Sequence, residues 1–226
     1  MESRNVAYSA NAEARQQALA INKVIRNTFM LLSMTLLVST ITALYAMASN
    51  AAPVNIWVMF GVFLGGPILI HFVRNSAISL PLVFLWTGFM GYILGPILNF
   101  YLSLPNGDQI VTTSLGLTAL IFFGLTFYAM TTRKDFSFLS GFLTVGALVI
   151  LAAILGNYFF FQMPALSLAI SAGAVILISG FMLFDVSRMV NGGETNYVTM
   201  TVALFSNIYV LFLHLLNLVS AFTGND

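Results

Sequence analysis

The sequence predicts an all-α membrane protein, a bundle of seven transmembrane helices. Three observations lead to this fold class. Apolar residues make up 59% of the 226 residues and charged residues only 7%, against about 25% charged residues in an ordinary soluble domain. The apolar residues gather into runs of about 20, the length that crosses a bilayer as a helix. The lysines and arginines fall only in segments that seven crossings would place on one side of the membrane.

The seven apolar runs lie at about residues 28–48, 54–72, 77–102, 110–130, 136–160, 165–187 and 197–222. Helices are required because lipid offers no hydrogen-bonding partner to backbone N–H and C=O groups, and the strict alternation of a barrel strand is absent. Residues 1–26 carry charges and no continuous apolar stretch. We therefore expect an amino-terminal tail over residues 1–26, followed by one transmembrane domain over residues 27–226.

The basic residues indicate which side faces the cytoplasm, because cytoplasmic segments retain lysine and arginine. Four of the eight lie in the tail, and the others follow the second, fourth and sixth runs: Arg74, Arg133, Lys134 and Arg188. The opposite side carries Asp108 and Asp226 and no basic residue. This segregation requires an odd number of crossings, with the amino terminus in the cytoplasm and the carboxyl terminus outside it.

Small residues predict where helices approach closely, since helix association in lipid depends on close backbone contact. Gly88, Gly91 and Gly95 lie on one side of the third run and Pro96 follows them. We expect this helix to pack closely there and to bend near the proline. The segment Gly-Pro-Ile-Leu occurs at residues 66–69 and again at 95–98. It marks either an internal repeat or two independent proline-containing helices.

One face of the seventh run is unusually polar for a helix in lipid. At about 100° per residue, this face collects Thr199, Ala203, Ser206, Asn207, Val210, His214, Asn217 and Ala221. Such residues face a bundle interior or an aqueous cavity, so we place the seventh helix at the centre of the bundle. Two interpretations of the polar side chains stay open: hydrogen bonds between helices, or the lining of a pathway.

Asp185 is the one acidic residue well inside a predicted crossing, which makes it a candidate functional group. It could instead pair with Arg188, three residues on, and reach water at the cytoplasmic end. Asp185 and Asn207 are each 11 residues from Asn196, near the turn between the last two runs. We therefore expect the two to lie at similar depth. Together with His214 and Arg188 they form the predicted intramembrane polar locus.

Motifs for catalysis and cofactor binding are absent from the sequence. The chain has two histidines and no cysteine, and it contains no HExxH, Gly-x-Ser-x-Gly, Walker or GxGxxG segment. We therefore expect no enzymatic activity, no catalytic or metal-binding residues and no cofactor. The net charge of +1 and the lack of a basic stripe exclude nucleic acid as a main partner. The lipid bilayer is the partner that composition predicts.

Four segments of the chain have a familiar pattern: residues 87–98 (TGFMGYILGPIL), 131–139 (TTRKDFSFL), 184–187 (FDVS) and 192–197 (GGETNY). They resemble the transmembrane Bax-inhibitor-motif family, most closely its bacterial branch, and the likeness extends from about Lys23 to the end. The resemblance implies a bundle with the seventh helix central, located in the bacterial inner membrane with a periplasmic carboxyl terminus.

For function, the resemblance implies a non-enzymatic protein that binds and restrains the membrane-anchored AAA protease FtsH. The protease would engage the cytoplasmic tail to begin degradation, so the chain would itself be a substrate of the protease. The alternative is a cation leak, for calcium or another cation, in which two facing aspartates on the sixth and seventh helices act as a pH-sensitive latch. Asp185 matches the first aspartate, but Asn207 stands at the second. Two coupled carboxylates are therefore not available here.

Overall fold

A computed structural model describes the backbone of residues 2–223 and the side chains of residues 15–223. Its seven α-helices are α1 Glu2–Ala48, α2 Ile56–Val73, α3 Ser79–Leu102, α4 Gly107–Thr132, α5 Ser140–Gly156, α6 Pro164–Val190 and α7 Tyr197–Thr223. A 3-10 turn, Ser137–Leu139, precedes α5, and a π-helical turn, Asn157–Phe161, follows it. Seven helical segments are long and apolar enough to cross a membrane, and residues 2–223 contain no strand. The predicted fold class is confirmed.

The sidedness of the bundle stays a prediction. Part of the charge argument rests on Asp226 and on tail side chains before Arg15, and these lie outside the described side chains. Of the basic residues, Arg74 directly follows α2, Arg133 directly follows α4, and Arg188 lies in the last turn of α6. These positions lie at one end of the bundle, which we call the cytoplasmic end.

α1 continues without a break from the predicted tail into the first crossing. Its 47 residues correspond to a length of about 70 Å, against about 30 Å for the hydrocarbon core. Ala, Glu, Arg and Gln at residues 12–18 favour this continuation because they are strong helix formers. Ile21 lies against Gly192, and Val24 and Ile25 pack on the core. The last residues of the predicted tail therefore belong to the bundle, whereas residues 15–20 are exposed.

α7 is the central helix, as its polar face predicts. It packs against α1, α2, α3, α4 and α6, and half of its most apolar stretch is buried, more than in any other described span. Leu204, Leu211 and Leu216 on α7 are fully enclosed. α2 and α5 lie at the periphery, because only a small part of each is buried.

Aromatic side chains join α7 to α2 and α3. Trp86 of α3 packs edge-on against Phe205 at 5.3 Å between ring centroids, and Phe205 stacks on Tyr209. The indole Nε1–H of Trp86 donates to the backbone carbonyl of Val62 at 3.0 Å. Gly66 makes this approach possible, since a Cβ there would lie 2.1 Å from the indole ring. The indole therefore fixes α2 to the centre of the bundle.

α1 and α3 make the most extensive helix pairing in the described chain, and glycines of α3 allow it. A Cβ at Gly91 would lie 2.1 Å from the backbone carbonyl oxygen of Ser39, and one at Gly95 would lie 2.5 Å from the Cβ of Ala46. Gly88 has more room, since its Cβ would meet Val38 at 3.4 Å. The helix continues through Pro96 to Leu102. The two backbones therefore approach most closely at Gly91 and Gly95.

The replacement Gly91→Ala is expected to lower the free energy of unfolding by about 1–3 kcal/mol, the usual cost of overpacking. The added methyl group would meet backbone of α1, which cannot rotate away as a side chain can. Chemical unfolding of the purified protein in detergent measures the change. Gly124→Ala is the matched control, because nothing lies within 4 Å of that position. Equal stability of the two variants would contradict the proposed close contact.

Candidate functional site

The structure brings Asp185 and Asn207 together. The side-chain amide of Asn207 donates from Nδ2 to Oδ2 of Asp185 at 2.8 Å. The carboxyl group lies five residues before the end of α6 at Val190, and the residue is only 9% exposed. The register of the α6–α7 hairpin therefore gives the similar depth that equal spacing from Asn196 predicts. The partner of the Asp185 carboxyl group is therefore the neutral amide of Asn207 and not a second acid.

Arg188 does not take Asp185 as its direct partner. Its guanidinium lies 3.6 Å from the Glu194 carboxylate and 5.3 Å from the centroid of the Phe184 ring. Within the described side chains, this is the one ion pair with a nitrogen–oxygen distance of 4.0 Å or less. Arg188 therefore belongs to the cytoplasmic end of the bundle, and the interpretation of Asp185 as half of a surface ion pair with it is not supported by the geometry.

His214 belongs to a separate polar cluster, nearer the opposite end of the bundle. It lies seven residues after Asn207 on α7, which is about 10 Å along the helix axis. Its Nδ1 lies 3.1 Å from the hydroxyl oxygen of Ser171, and Asn217 donates to Ser171 and Ser167. We call these four residues the outer polar cluster. The predicted locus thus divides into an Asp185–Asn207 pair, Arg188 with Glu194, and this cluster.

The loops at the cytoplasmic end of the bundle are tied together by Ser187 of α6 and by Asn196, which directly precedes α7. The Ser187 hydroxyl donates to the carbonyl of Lys134 at 2.8 Å and accepts from the N–H of Phe136 at 3.1 Å. Asn196 donates to the carbonyl of Arg74 and caps α7 by accepting from the N–H of Val198 at 3.0 Å. These bonds join the α2–α3, α4–α5 and α6–α7 connections into one surface.

Asp135 orders the α4–α5 connection through two hydrogen bonds of its carboxylate. Its carboxylate accepts from the N–H and from the hydroxyl of Ser137, at 2.8 and 2.5 Å. These hydrogen bonds favour the charged form and hold the pKa of Asp135 below its ordinary value. The carboxylate thereby holds Ser137, the first residue of the 3-10 turn that leads into α5.

Sequence reasoning missed Glu194 as the partner of Arg188, and Ser167 and Ser171 as partners of His214 and Asn217. The small residues of α6 give no periodic signal as clear as that of α7. Glu194 could have been noticed as the acid nearest to Arg188 in the following loop. Gly192, with φ of 74°, turns the chain back so that the two side chains meet.

Comparison with known proteins gives a consistent result over nearly the whole chain. The family model described as "Inhibitor of apoptosis-promoting Bax1" matches residues 21–224. An uncharacterized protein of Pseudomonas aeruginosa is 45% identical over 218 residues, with 96% of each chain covered. "Modulator of FtsH protease YccA" of Escherichia coli strain K12 is 43% identical over 96% of this chain and 98% of its own. "Inner membrane protein YccA" of Escherichia coli O6:H1 gives the same values.

The replacement Asn207→Leu is expected to lower the free energy of unfolding by about 1–3 kcal/mol. The variant leaves the buried carboxyl group of Asp185 without its amide donor, in surroundings that contain little water. Ser206→Ala is the matched control, because the Ser206 hydroxyl bonds only the carbonyl of Val202 in its own helix. Detergent unfolding of both variants checks the prediction. A loss for Asn207→Leu no larger than that for the control would overturn it.

Proposed function

The chain belongs to the Bax1-I family, and from that membership we propose that it binds and restrains a membrane-anchored AAA protease of the FtsH type. The observation that carries the proposal is 43% identity to a relative named for modulating that protease, over 98% of the relative's length. The coverage spans all seven helices, so the whole bundle rather than one motif is shared. The chain is a multi-pass inner-membrane protein.

The amino-terminal part of α1 supports a role as the segment that the protease engages. Residues 15–20 are exposed along the helix, and Leu19 presents an apolar side chain that is 62% exposed. An ATP-driven protease begins on a segment that is accessible and weakly held, and exposed chain ends meet this requirement. Because the segment continues into the first crossing, a pulling force on it acts directly on the transmembrane part of α1.

The transmembrane part of α1 supports a role in resisting extraction. It is held on α3 by the close approach at Gly91 and Gly95. Asn99 of α3 donates to the carbonyl of Met47 near the end of α1, at 3.2 Å. The hydroxyl of Thr201 on the central helix, which bonds the carbonyl of Tyr197 in its own helix at 2.8 Å, also lies 3.3 Å from the carbonyl of Thr28. Close packing and interhelical hydrogen bonds are the forces that hold helices together in lipid. A protease that engages the amino-terminal part of α1 would therefore be occupied while extraction proceeds slowly.

Two variants test the proposal in membranes that contain the FtsH protease. Deletion of residues 2–22 should abolish both co-purification with the protease and turnover by it, whereas a scrambled sequence of residues 2–22 controls for length and composition. Gly91→Ala should be degraded several-fold faster, because its bundle opens more often, while Gly124→Ala should keep the original rate. Unchanged association and turnover after the deletion would contradict the proposal, as would equal turnover of the two glycine variants.

A cation leak is the second candidate, and the buried Asp185 carboxyl favours it. The amide of Asn207 orients this carboxyl in the cytoplasmic half of the bundle, where a passing cation could contact it. Such a leak would give calcium or potassium flux from liposomes containing the purified protein. Asp185→Asn should abolish that flux and Asp135→Asn, outside the membrane, should leave it unchanged. Absence of flux from the unaltered protein would eliminate this candidate.

A further inference from the structure

A cavity of about 440 Å³ opens beside the outer polar cluster. It lies between α2 on one side and α5, its π-helical turn and α6 on the other, with α7 as its inner wall. Apolar side chains make most of the lining, among them Met59, Phe63 and Leu213. Leu64 and Tyr158 stand on opposite sides, and each is about half exposed. The volume is within the range of about 300–1,000 Å³ that small-molecule sites occupy.

Hydrogen bonds in the outer polar cluster determine which polar atoms remain for a ligand. Both N–H groups of the Asn217 amide are used, one on Ser167 Oγ at 3.1 Å and one on Ser171 Oγ at 2.8 Å. Ser171 accepts from Asn217, and we assign its own proton to the hydrogen bond with Nδ1 of His214, 3.1 Å away. With Nδ1 as an acceptor, the hydrogen of the neutral imidazole lies on Nε2.

Two polar atoms of the cluster are left over at the cavity. The Nε2–H of His214 is a donor and Oδ1 of Asn217 is an acceptor, and neither has a hydrogen-bond partner within residues 15–223. Both residues line the cavity, and neither atom is among the fully enclosed polar atoms of the described chain. The cluster therefore offers one donor and one acceptor to a largely apolar cavity, whose lining also includes Asn157 and Tyr158, and each of the two atoms needs a partner there.

From this geometry we infer that the cavity binds a neutral hydroxyl-bearing lipid or other membrane-soluble alcohol. A hydroxyl group accepts from the Nε2–H of His214 and donates to Oδ1 of Asn217, so that it satisfies both atoms at once. The hydrocarbon body lies against the apolar lining. Entry is from the bilayer, between Leu64 and Tyr158. The site is independent of the proposed protease interaction, because it uses none of the residues of α1.

The lining argues against charged occupants. It contains no Asp, Glu, Lys or Arg, so a phosphate headgroup would lose its hydration without gaining a counter-charge. Calcium prefers six to eight oxygen ligands, with carboxylates among them, and the cavity offers no carboxylate. A neutral molecule with one hydroxyl group fits both the polarity and the shape of the lining.

A second cavity of about 270 Å³, between α1, α3, α4 and α7, provides an internal comparison. Its polar lining includes Thr40 and Thr118. The hydroxyls of Thr40 and Thr118 donate to the carbonyls of Leu36 and Ser114 within their own helices, at 2.8 and 2.7 Å. The hydroxyl of Ser39, which also lines this cavity, has no hydrogen-bond partner within residues 15–223. An apolar molecule can enter either cavity, but the donor and acceptor pair of His214 and Asn217 is a feature of the first. Selectivity for a hydroxyl group should therefore be stronger at the first cavity, where two polar groups bind it, than at the second, where the Ser39 hydroxyl alone is available.

Photolabelling of the purified full-length chain in nanodiscs tests the inference, with a diazirine derivative of octanol as the probe. Mass spectrometry of the labelled peptides should place adducts at the first cavity, on residues such as Ile154, Tyr158 or Leu213. Excess 1-octanol should suppress these adducts, whereas 1-methoxyoctane, which cannot donate a hydrogen bond, should compete about tenfold less well. Equal labelling of both cavities, or equal competition by alcohol and ether, would overturn the inference.

Variants separate the hydrogen bonds from the general apolar character of the cavity. His214→Phe and Asn217→Leu should each reduce labelling of the first cavity about tenfold, and Thr118→Val in the second cavity should not. Leu213→Trp should block labelling by filling the space, and it keeps the polar cluster if either polar variant fails to fold. Gel filtration identifies folded variants. Undiminished labelling in folded His214→Phe, or in folded Leu213→Trp, would contradict the site.

Discussion

The arrangement of the bundle depends on one constraint: polar side chains of α7 must find hydrogen-bond partners inside the protein, because lipid offers none. Asn207 meets Asp185 of α6, and Asn217 meets serines of the same helix. Tyr209 donates to the carbonyl of Met90 in α3 at 3.2 Å, and the Thr201 hydroxyl, which bonds Tyr197 in its own helix, shares its proton with the carbonyl of Thr28 in α1 at 3.3 Å. Bonds in three directions require three surrounding helices. The central position of α7 follows from its sequence.

α1 combines two properties that are otherwise found on separate segments. Residues 15–20 of α1 are exposed, and its transmembrane part is held against α3 at Gly91 and Gly95. Any force applied to the exposed part is transmitted along a continuous helix to the most extensive helix pairing in the described bundle. Under the proposed function, this arrangement would let the protease engage α1 while the pairing with α3 slows removal of the chain from the membrane.

The sequence predicts depth along the helices better than it predicts neighbours around them. Run lengths predicted seven crossings, and equal spacing from Asn196 predicted the Asp185–Asn207 contact, because both depend only on rise per residue. His214 was grouped with Asp185 because it shares a helical face with Asn207. It lies seven residues, about 10 Å along the helix axis, from Asn207 and so does not reach Asp185. Arg188 was expected near Asp185, but the turn at Gly192 presents Glu194 to it instead. Such partners depend on loop geometry, which no periodicity encodes.

Sidedness connects the two proposals, because the predicted orientation would put the exposed residues of α1 in the cytoplasm and the proposed lipid site in the outer half of the bilayer. The chain has no cysteine, so single cysteines can be introduced without background. The most direct measurement compares Asp108→Cys with Lys134→Cys in spheroplasts treated with a membrane-impermeant maleimide. The account predicts labelling at position 108 in intact spheroplasts and at position 134 only after lysis. Labelling at position 134 in intact spheroplasts, with none at 108, would contradict it.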